Sequence, residues 1–298
     1  MSAAAGRVYD LGFRRYEGPR EGRRCAVLAV YKNGLRTALG LGRGGRAKVV
    51  PWLFISASLI PAVVMALIAG AVDRAAPGFD ASKSLPSHAH YYAIAAIVMV
   101  VFVAVIGAEL YCPDRRNGTI SLYLVRPLRP ADYAAARWAA LVTVVVAAAW
   151  LPQVVLLGGL VLGAADPIGY LGAHWADIPR FLLAGAALAV YYASLASVVS
   201  AYATRRAYAA AFVVGAFIVS GAVVAGVVDV LSRETGRWLA LLSLPDVPLY
   251  VNDLIFGAST AGTTAAEHLP AAVQVGWFLL VSAVATLATL DRYRRLAR

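Results

Sequence analysis

"YYAIAAIVMVVFVAVIGAELY", residues 91–111, decides the class of this protein. The run holds one formal charge, Glu109, close to its end. About 20 consecutive apolar residues suffice to cross a bilayer as a helix. A helix satisfies its own backbone hydrogen bonds in hydrocarbon, so the stretch reads as a transmembrane helix. Working outward, five more runs qualify: 52–72, 134–163, 179–203, 207–230 and 270–290. The composition agrees. Of the 298 residues, 61% are hydrophobic and 14% charged, against about 45–50% and about 25% in ordinary soluble domains. The fold class expected is an all-α membrane protein with six transmembrane helices. The formal charge of +11 does not point to nucleic acid, because the basic residues sit between apolar runs and not on one face. Pro152 beside Gln153 predicts a kink or tilt in the third span, and Pro61 a bend in the first. Pro51 and Pro179 fall near helix starts, where a missing N–H costs little.

The arginines orient the chain. Placing the N-terminus inside puts all but five of the 27 Lys and Arg (Arg74, Lys83, Arg180, Arg233 and Arg237) on the cytoplasmic side or at its boundary. Cytoplasmic loops carry this excess in membrane proteins. Both termini are therefore expected in the cytoplasm, with 112–133 and 204–206 as the inner loops. No early apolar h-region marks a cleavable signal peptide. Cys25 and Cys112 both fall in arginine-rich segments placed in the cytosol, so no disulfide is expected.

Residues 1–50 form a cytoplasmic arm, and 51–298 the transmembrane domain. Between Arg24 and Leu39, Val27, Leu28, Tyr31, Leu35 and Leu39 recur at helical spacing, opposite Arg24, Lys32 and Arg36. A basic amphipathic helix of this kind lies flat on a membrane surface or packs on a partner protein; the short Gly-rich link to the first span favours the membrane. The upstream "YDLGFRRYEGPREG" (9–22) reads as an extended, turn-rich arm.

Several chemistries lack their residues. There is no G-x-x-x-x-G-K-[ST] phosphate loop, no H-E-x-x-H and no C-x-x-C. The middles of the spans carry Gln153 and Gln274 with scattered Ser and Thr, but no charge. Proton- or ion-coupled carriers keep ionisable groups inside the membrane, and enzymes need converging acid and base groups. Neither class is favoured. His88, His90, His174 and His268 all fall on the outer side. "SHAHYY" (87–92) is read as an interfacial cluster with Tyr91 and Tyr92 in preference to half a metal site. Gly185, Ala189, Ala193, Gly215, Gly221, Ala225 and Gly226 permit close helix packing in spans four and five, either within one bundle or between subunits.

The connection 231–269 is too long and too apolar for a solvated loop. Two apolar pieces broken at Pro245 and Pro248 fit re-entrant helices dipping into the outer leaflet, where irregular backbone must be covered by protein or line a cavity. It reads as an outer lid over a pathway or a packed cap. Trp238, Pro245, Asp246, Pro248, Asn252 and Asp253 are its candidate residues.

"CPDRRNGTISLYLVRPLRPADY" (112–133) holds more than a joining loop needs. Pro113 is expected to end the second span, and "DRRNG" is turn chemistry. Thr119 is placed as the N-cap of a short helix, "ISLYLV", with Ile120, Tyr123 and Leu124 on one side. Pro127 stops it, and Pro130 and Asp132 suit the first turn of the third span. The apolar strip calls for burial in a groove on another protein.

With an acidic residue at the end of span two followed by "DRRNGTISLYLVRPLRPADY", the chain resembles the permease subunits of type-2 ABC exporters. The motif-like part is 109–137; the rest of the resemblance is architectural. It implies six spans with both ends inside, an amphipathic N-terminal helix, and outer re-entrant helices between spans five and six. It also implies that the loop is a coupling helix docking on a separate ATP-binding subunit. Carried over, Glu109, Asp114, Arg115, Arg116, Gly118, Thr119, Tyr123, Arg126 and Pro127 form that contact. ATP and Mg would bind the partner subunit, with no cofactor or metal in this chain. The further partners implied are a second permease subunit, identical or closely related, and the lipid of a bacterial cytoplasmic membrane. The chain itself would not be an enzyme. The arm "YDLGFRRYEG" is not part of the family pattern. A non-transporting membrane anchor or regulator of a complex fits the same loop.

Overall fold

Helices long enough to cross hydrocarbon make up most of the chain. The computed structural model describes residues 18, 22–42, 44–75, 87–124, 127–164, 166–228, 233–258 and 269–296. Among them there is no strand. In chain order the helices are α1 (Arg23–Ala38), α2 (Gly45–Ala75), α3 (His88–Arg116), α4 (Ile120–Leu124), α5 (Pro130–Gly163), α6 (Pro167–His174), α7 (Asp177–Tyr202), α8 (Arg206–Val228), α9 (Arg233–Leu239), α10 (Val247–Phe256) and α11 (Ala271–Leu296). Six of these, α2, α3, α5, α7, α8 and α11, are long and apolar enough to span a membrane. The chain is thus a multi-pass membrane protein of all-helical build. Each expected span has its helix. At half of the expected limits the helices run three or more residues further, because polar ends such as Arg116 still continue the backbone ladder.

The six spans are not equivalent. In the most apolar stretch of α3, α5 and α7, 61%, 50% and 56% of residues are buried in protein, against 22%, 17% and 22% in α2, α8 and α11. The first three therefore form the inner bundle. Against it, α2 leans on α5 and α3, α8 on α3, and α11 on α7 and α5. The inner contacts are mostly apolar, with hydroxyls added where helices meet. Trp138 Nε1 donates to Ser194 Oγ at 3.1 Å and the Thr286 hydroxyl to the same oxygen at 3.0 Å, joining α5, α7 and α11. The spans alternate in direction. One end of the bundle carries α1, α4 and the last turn of α11 (the loop end). The other carries α6, α9 and α10 (the lid end).

Backbones approach most closely between α2 and α5. A Cβ on Gly159 would lie 2.5 Å from Ala66 Cβ, and one on Gly163 would lie 3.3 Å from Gly70 Cα. Small residues permit this approach where no hydrophobic effect drives helices together. A Cβ on the neighbouring Gly158 would meet nothing within 4 Å. Gly159→Val is therefore expected to destabilise the detergent-solubilised protein by about 1–3 kcal/mol. Gly158→Val, on the open side, should not, and comparing the two thermal unfolding midpoints checks this. In spans four and five the small residues serve different ends. Gly185 leaves room for Tyr92 and Trp150, Gly221 for Pro245, while Gly215 and Gly226 face open space.

The apolar face of helix α1 is covered largely by the chain's own bundle. Val30, Gly34 and Ala38 are buried, and Val27, Tyr31, Leu35 and Leu39 pack on the core. A Cβ on Gly34 would lie 2.7 Å from Ala140 Cβ. The Tyr31 and Thr143 hydroxyls are 3.0 Å apart, and Arg23 grips Asp132 through Nε at 2.7 Å and Nη2 at 2.6 Å. Amphipathicity marks a face that needs cover, and here α5 supplies it. Leu28 stays exposed. The arm before Gly22 lies outside the described residues, apart from Gly18.

Candidate functional site

The loop end brings most of the sequence-selected residues together, with different partners from those expected. Pro113 does not end α3. The helix runs through it to Arg116 and stops at Asn117, with Gly118 in the left-handed region at φ 66°. Proline costs a helix the hydrogen bond of its missing N–H. Two side chains directly after it hold the last turn. The Asp114 carboxylate accepts from Tyr133 Oη, from Arg137 Nη2 at 2.6 Å and from the Thr119 hydroxyl at 3.2 Å. Arg115 reaches across to the end of α7, donating through Nη1 to the carbonyls of Ala201 and Ala203. These are carbonyls that a helix C-terminus leaves without intrahelical partners.

Thr119 is not a side-chain N-cap. Its hydroxyl bonds to the carbonyl and carboxylate of Asp114, at 3.3 and 3.2 Å. The short helix α4 follows at once. Its apolar strip has a partner in the chain itself, contrary to expectation. Ile120 and Tyr123 pack on the core, and the Tyr123 ring sits 5.2 Å from Tyr133. From there an aromatic chain continues, Tyr133 to Tyr293 at 5.4 Å and Tyr293 to Tyr111 at 6.1 Å, linking α4, α5, α11 and α3. These separations are those of favourable aromatic pairs. The opposite side of α4 is bare: Leu122 is 69% exposed, beside exposed Ser121.

Two further cations shape this end. By sequence, Arg137 is a charge at the boundary of the third span. It is the buried centre of the cluster, with its side chain 3% exposed and its guanidinium 5.4 Å from the Tyr133 ring centroid. Among the described residues its Nε and Nη1 have no hydrogen-bond partner, and the one carboxylate paired with it is Asp114. Arg206, at the start of α8, pairs with Glu109. Of the nine residues selected in this loop, Asp114, Arg115, Thr119 and Tyr123 are thus turned into the fold, and Glu109 is tied to α8. Arg116, Gly118 and Pro127 are exposed. Arg126 lies outside the described residues. Leu122, exposed on the same helix, was missed because its neighbours defined the apolar strip.

At the lid end, Gly236–Leu242 and Val247–Phe256 meet at a bend of 109°. The break holds Ser243, whose hydroxyl donates to the Asp246 carboxylate, and Pro245, whose carbonyl accepts from Tyr192 Oη at 3.1 Å. Pro248 sits in the first turn of α10 and is buried. Asn252 and Asp253 are buried too, and Asn252 Nδ2 donates to the Ala89 carbonyl at 3.2 Å, tying α10 to α3. Trp238 is exposed. Residues 231, 232 and 259–268 of the lid segment lie outside the described residues.

Burial raises the Asp246 carboxyl above the ordinary carboxylate range, against the Ser243 hydroxyl, which lowers it. A raised value in the fold means that folded Asp246 binds its proton more tightly than the unfolded chain does. That contribution to stability is complete below the ordinary Asp value and is lost as pH rises through the raised one. Protection of the 243–250 amides, measured against the intrinsic exchange rate at each pH, is expected to rise on acidification and to stay level in Asp246→Asn; hydrogen-exchange mass spectrometry on both proteins checks it.

The "SHAHYY" stretch is not an interfacial belt. His88, Tyr91 and Tyr92 are buried, and His90 alone among the four rings at its start and end is exposed. His88 Nδ1 lies 2.6 Å from Gln153 Oε1, Gln153 Nε2 donates to the His88 carbonyl at 3.0 Å, and the ring stacks on Phe181. Gln153, inside the third span, is explained by this bond. No three His, Cys, Asp or Glu side chains gather as a metal-holding group among the described residues. Cys25 is exposed and Cys112 buried. The sequence matches no protein-family model and no curated protein.

Proposed function

We propose that this chain is the membrane-spanning permease subunit of an ATP-driven exporter of the type-2 ABC class, driven by a separate ATP-binding subunit. The observation that supports it most is α4. A helix of five residues has negligible stability alone, yet this one is fixed to α3, α5 and α11 by Asp114 and the tyrosine chain, and it presents Leu122 outward. A push on α4 would be passed to the inner bundle as a rigid-body shift. The energy has no other evident entry, since the sequence lacks a phosphate loop.

In this reading both termini and α4 lie in the cytoplasm of a bacterial cell, and α9 and α10 form re-entrant helices closing the outer end. Two permease subunits, identical or closely related, enclose the pathway. ATP and Mg bind only the partner subunit. An amphipathic or lipid-like cargo suits spans without central charges. The expected result is co-purification of a Walker-motif ATPase whose turnover rises with a candidate cargo. Binding of such a partner without any cargo-dependent turnover would favour the anchoring or regulatory role. Failure of any such ATPase to bind would sink the reading.

A further inference from the structure

Between the lid and the last span there is an apolar cavity of about 310 Å³. Trp238, Leu241 and Leu242 line it from the lid side, and Val273, Gly276, Trp277 and Leu280 from α11. Three features narrow what it can hold. The indole N–H of Trp277 is already committed to the Leu241 carbonyl at 2.7 Å, so this wall makes no polar demand and is pinned in place. Gly276 opens the α11 wall, since a Cβ there would meet nothing within 4 Å. The cavity shares Leu280 with the exposed apolar residues of α11, which include Leu279, Val284 and Leu287.

We infer that this cavity takes a single hydrocarbon chain of a bilayer phospholipid from the lid-end leaflet. A chain entering along the α11 face meets Leu280 and then side chains that are all apolar or aromatic. A headgroup finds no charged partner among the lining residues, so it stays outside. A predominantly apolar pocket is what such a ligand needs. The site would couple the lid to the lipid, because the same chain touches the turn after α9 and the wall of α11. The inference is independent of the exporter reading.

The test is photolabelling in nanodiscs made with a phospholipid carrying a diazirine on its acyl chain, with adducts mapped by mass spectrometry. Labelling of 238–242 and 273–280 is expected to exceed that of the exposed face of α2 around Ile60 and Leu67 several-fold. Gly276→Leu fills the cavity and should bring it down to the α2 level, leaving the α2 adducts unchanged as an internal control. Val273→Phe serves the same purpose if Gly276→Leu does not fold. Labelling of the cavity walls no stronger than that of α2 would overturn the inference. So would labelling indifferent to the filling substitutions, or walls shielded from lipid by a second copy of the chain.

Discussion

Asp114→Ala is expected to destabilise the detergent-solubilised protein by roughly 3 kcal/mol, the low end of what breaking a buried ion pair costs. The reason lies on the other side of the pair. Arg137 is almost wholly enclosed, and two of its nitrogens already lack partners. Without Asp114 its charge is left buried with no counter-ion. Removing Arg137 is milder. In Arg137→Met the carboxylate keeps the Tyr133 and Thr119 hydroxyls, and at 17% exposure it retains some contact with solvent. The double variant Asp114→Ala with Arg137→Met should recover most of the loss, because a charge-free buried pair packs at little cost. Thermal and denaturant unfolding of the three variants measure the cycle. An Asp114→Ala protein as stable as Arg137→Met would show that the pair is not what holds the last turn of α3.

On the proposed exporter reading, Leu122→Glu is expected to leave the fold intact and to weaken binding of an ATP-binding subunit by about 2 kcal/mol, the size of an interface hot spot, which is roughly 30-fold in affinity. Leu122 is 69% exposed on α4, so charging it disturbs little packing within this chain. Tyr123→Ala should behave in the opposite way. It opens a gap against Tyr133 and lowers stability, and any loss of partner binding would follow from the loosened helix. Affinity measured by titration of the partner, set beside the unfolding midpoint of each variant, separates the two roles. If Leu122→Glu bound as wild type while Tyr123→Ala lost binding at unchanged stability, the inward and outward faces would have been assigned the wrong way round.

The spans were legible because hydrocarbon imposes a length and a composition on any helix that crosses it. All six apolar runs became helices, and the Pro152 position did not stop α5. Local breaks were legible in part. Gly118 adopts the left-handed conformation that its turn needs, and the 109° bend of the lid falls in the stretch between Leu242 and Val247, where Pro245 lies. Pro113 misled, because the penalty of one lost hydrogen bond is small beside Asp114 and Arg115 anchoring the next turn.

Partners were the harder part. Amphipathic spacing marked α1 and α4 correctly as helices with one face to cover. It carried no information on what covers it, and in both the chain's own bundle does so. The same limit hid Arg137. A cation near the start of a span reads as an interfacial charge, and only the packing of Tyr133, Asp114 and α1 around it makes it a buried one.

By itself, then, the sequence determined that this chain lives in a membrane as a set of helices, since that follows from the free energy of each segment in hydrocarbon taken alone. Which helices lie inside, which face of α4 looks outward and which carboxylate neutralises Arg137 were decided by the tertiary structure. They depend on contacts between residues far apart in the chain, and no local pattern encodes those.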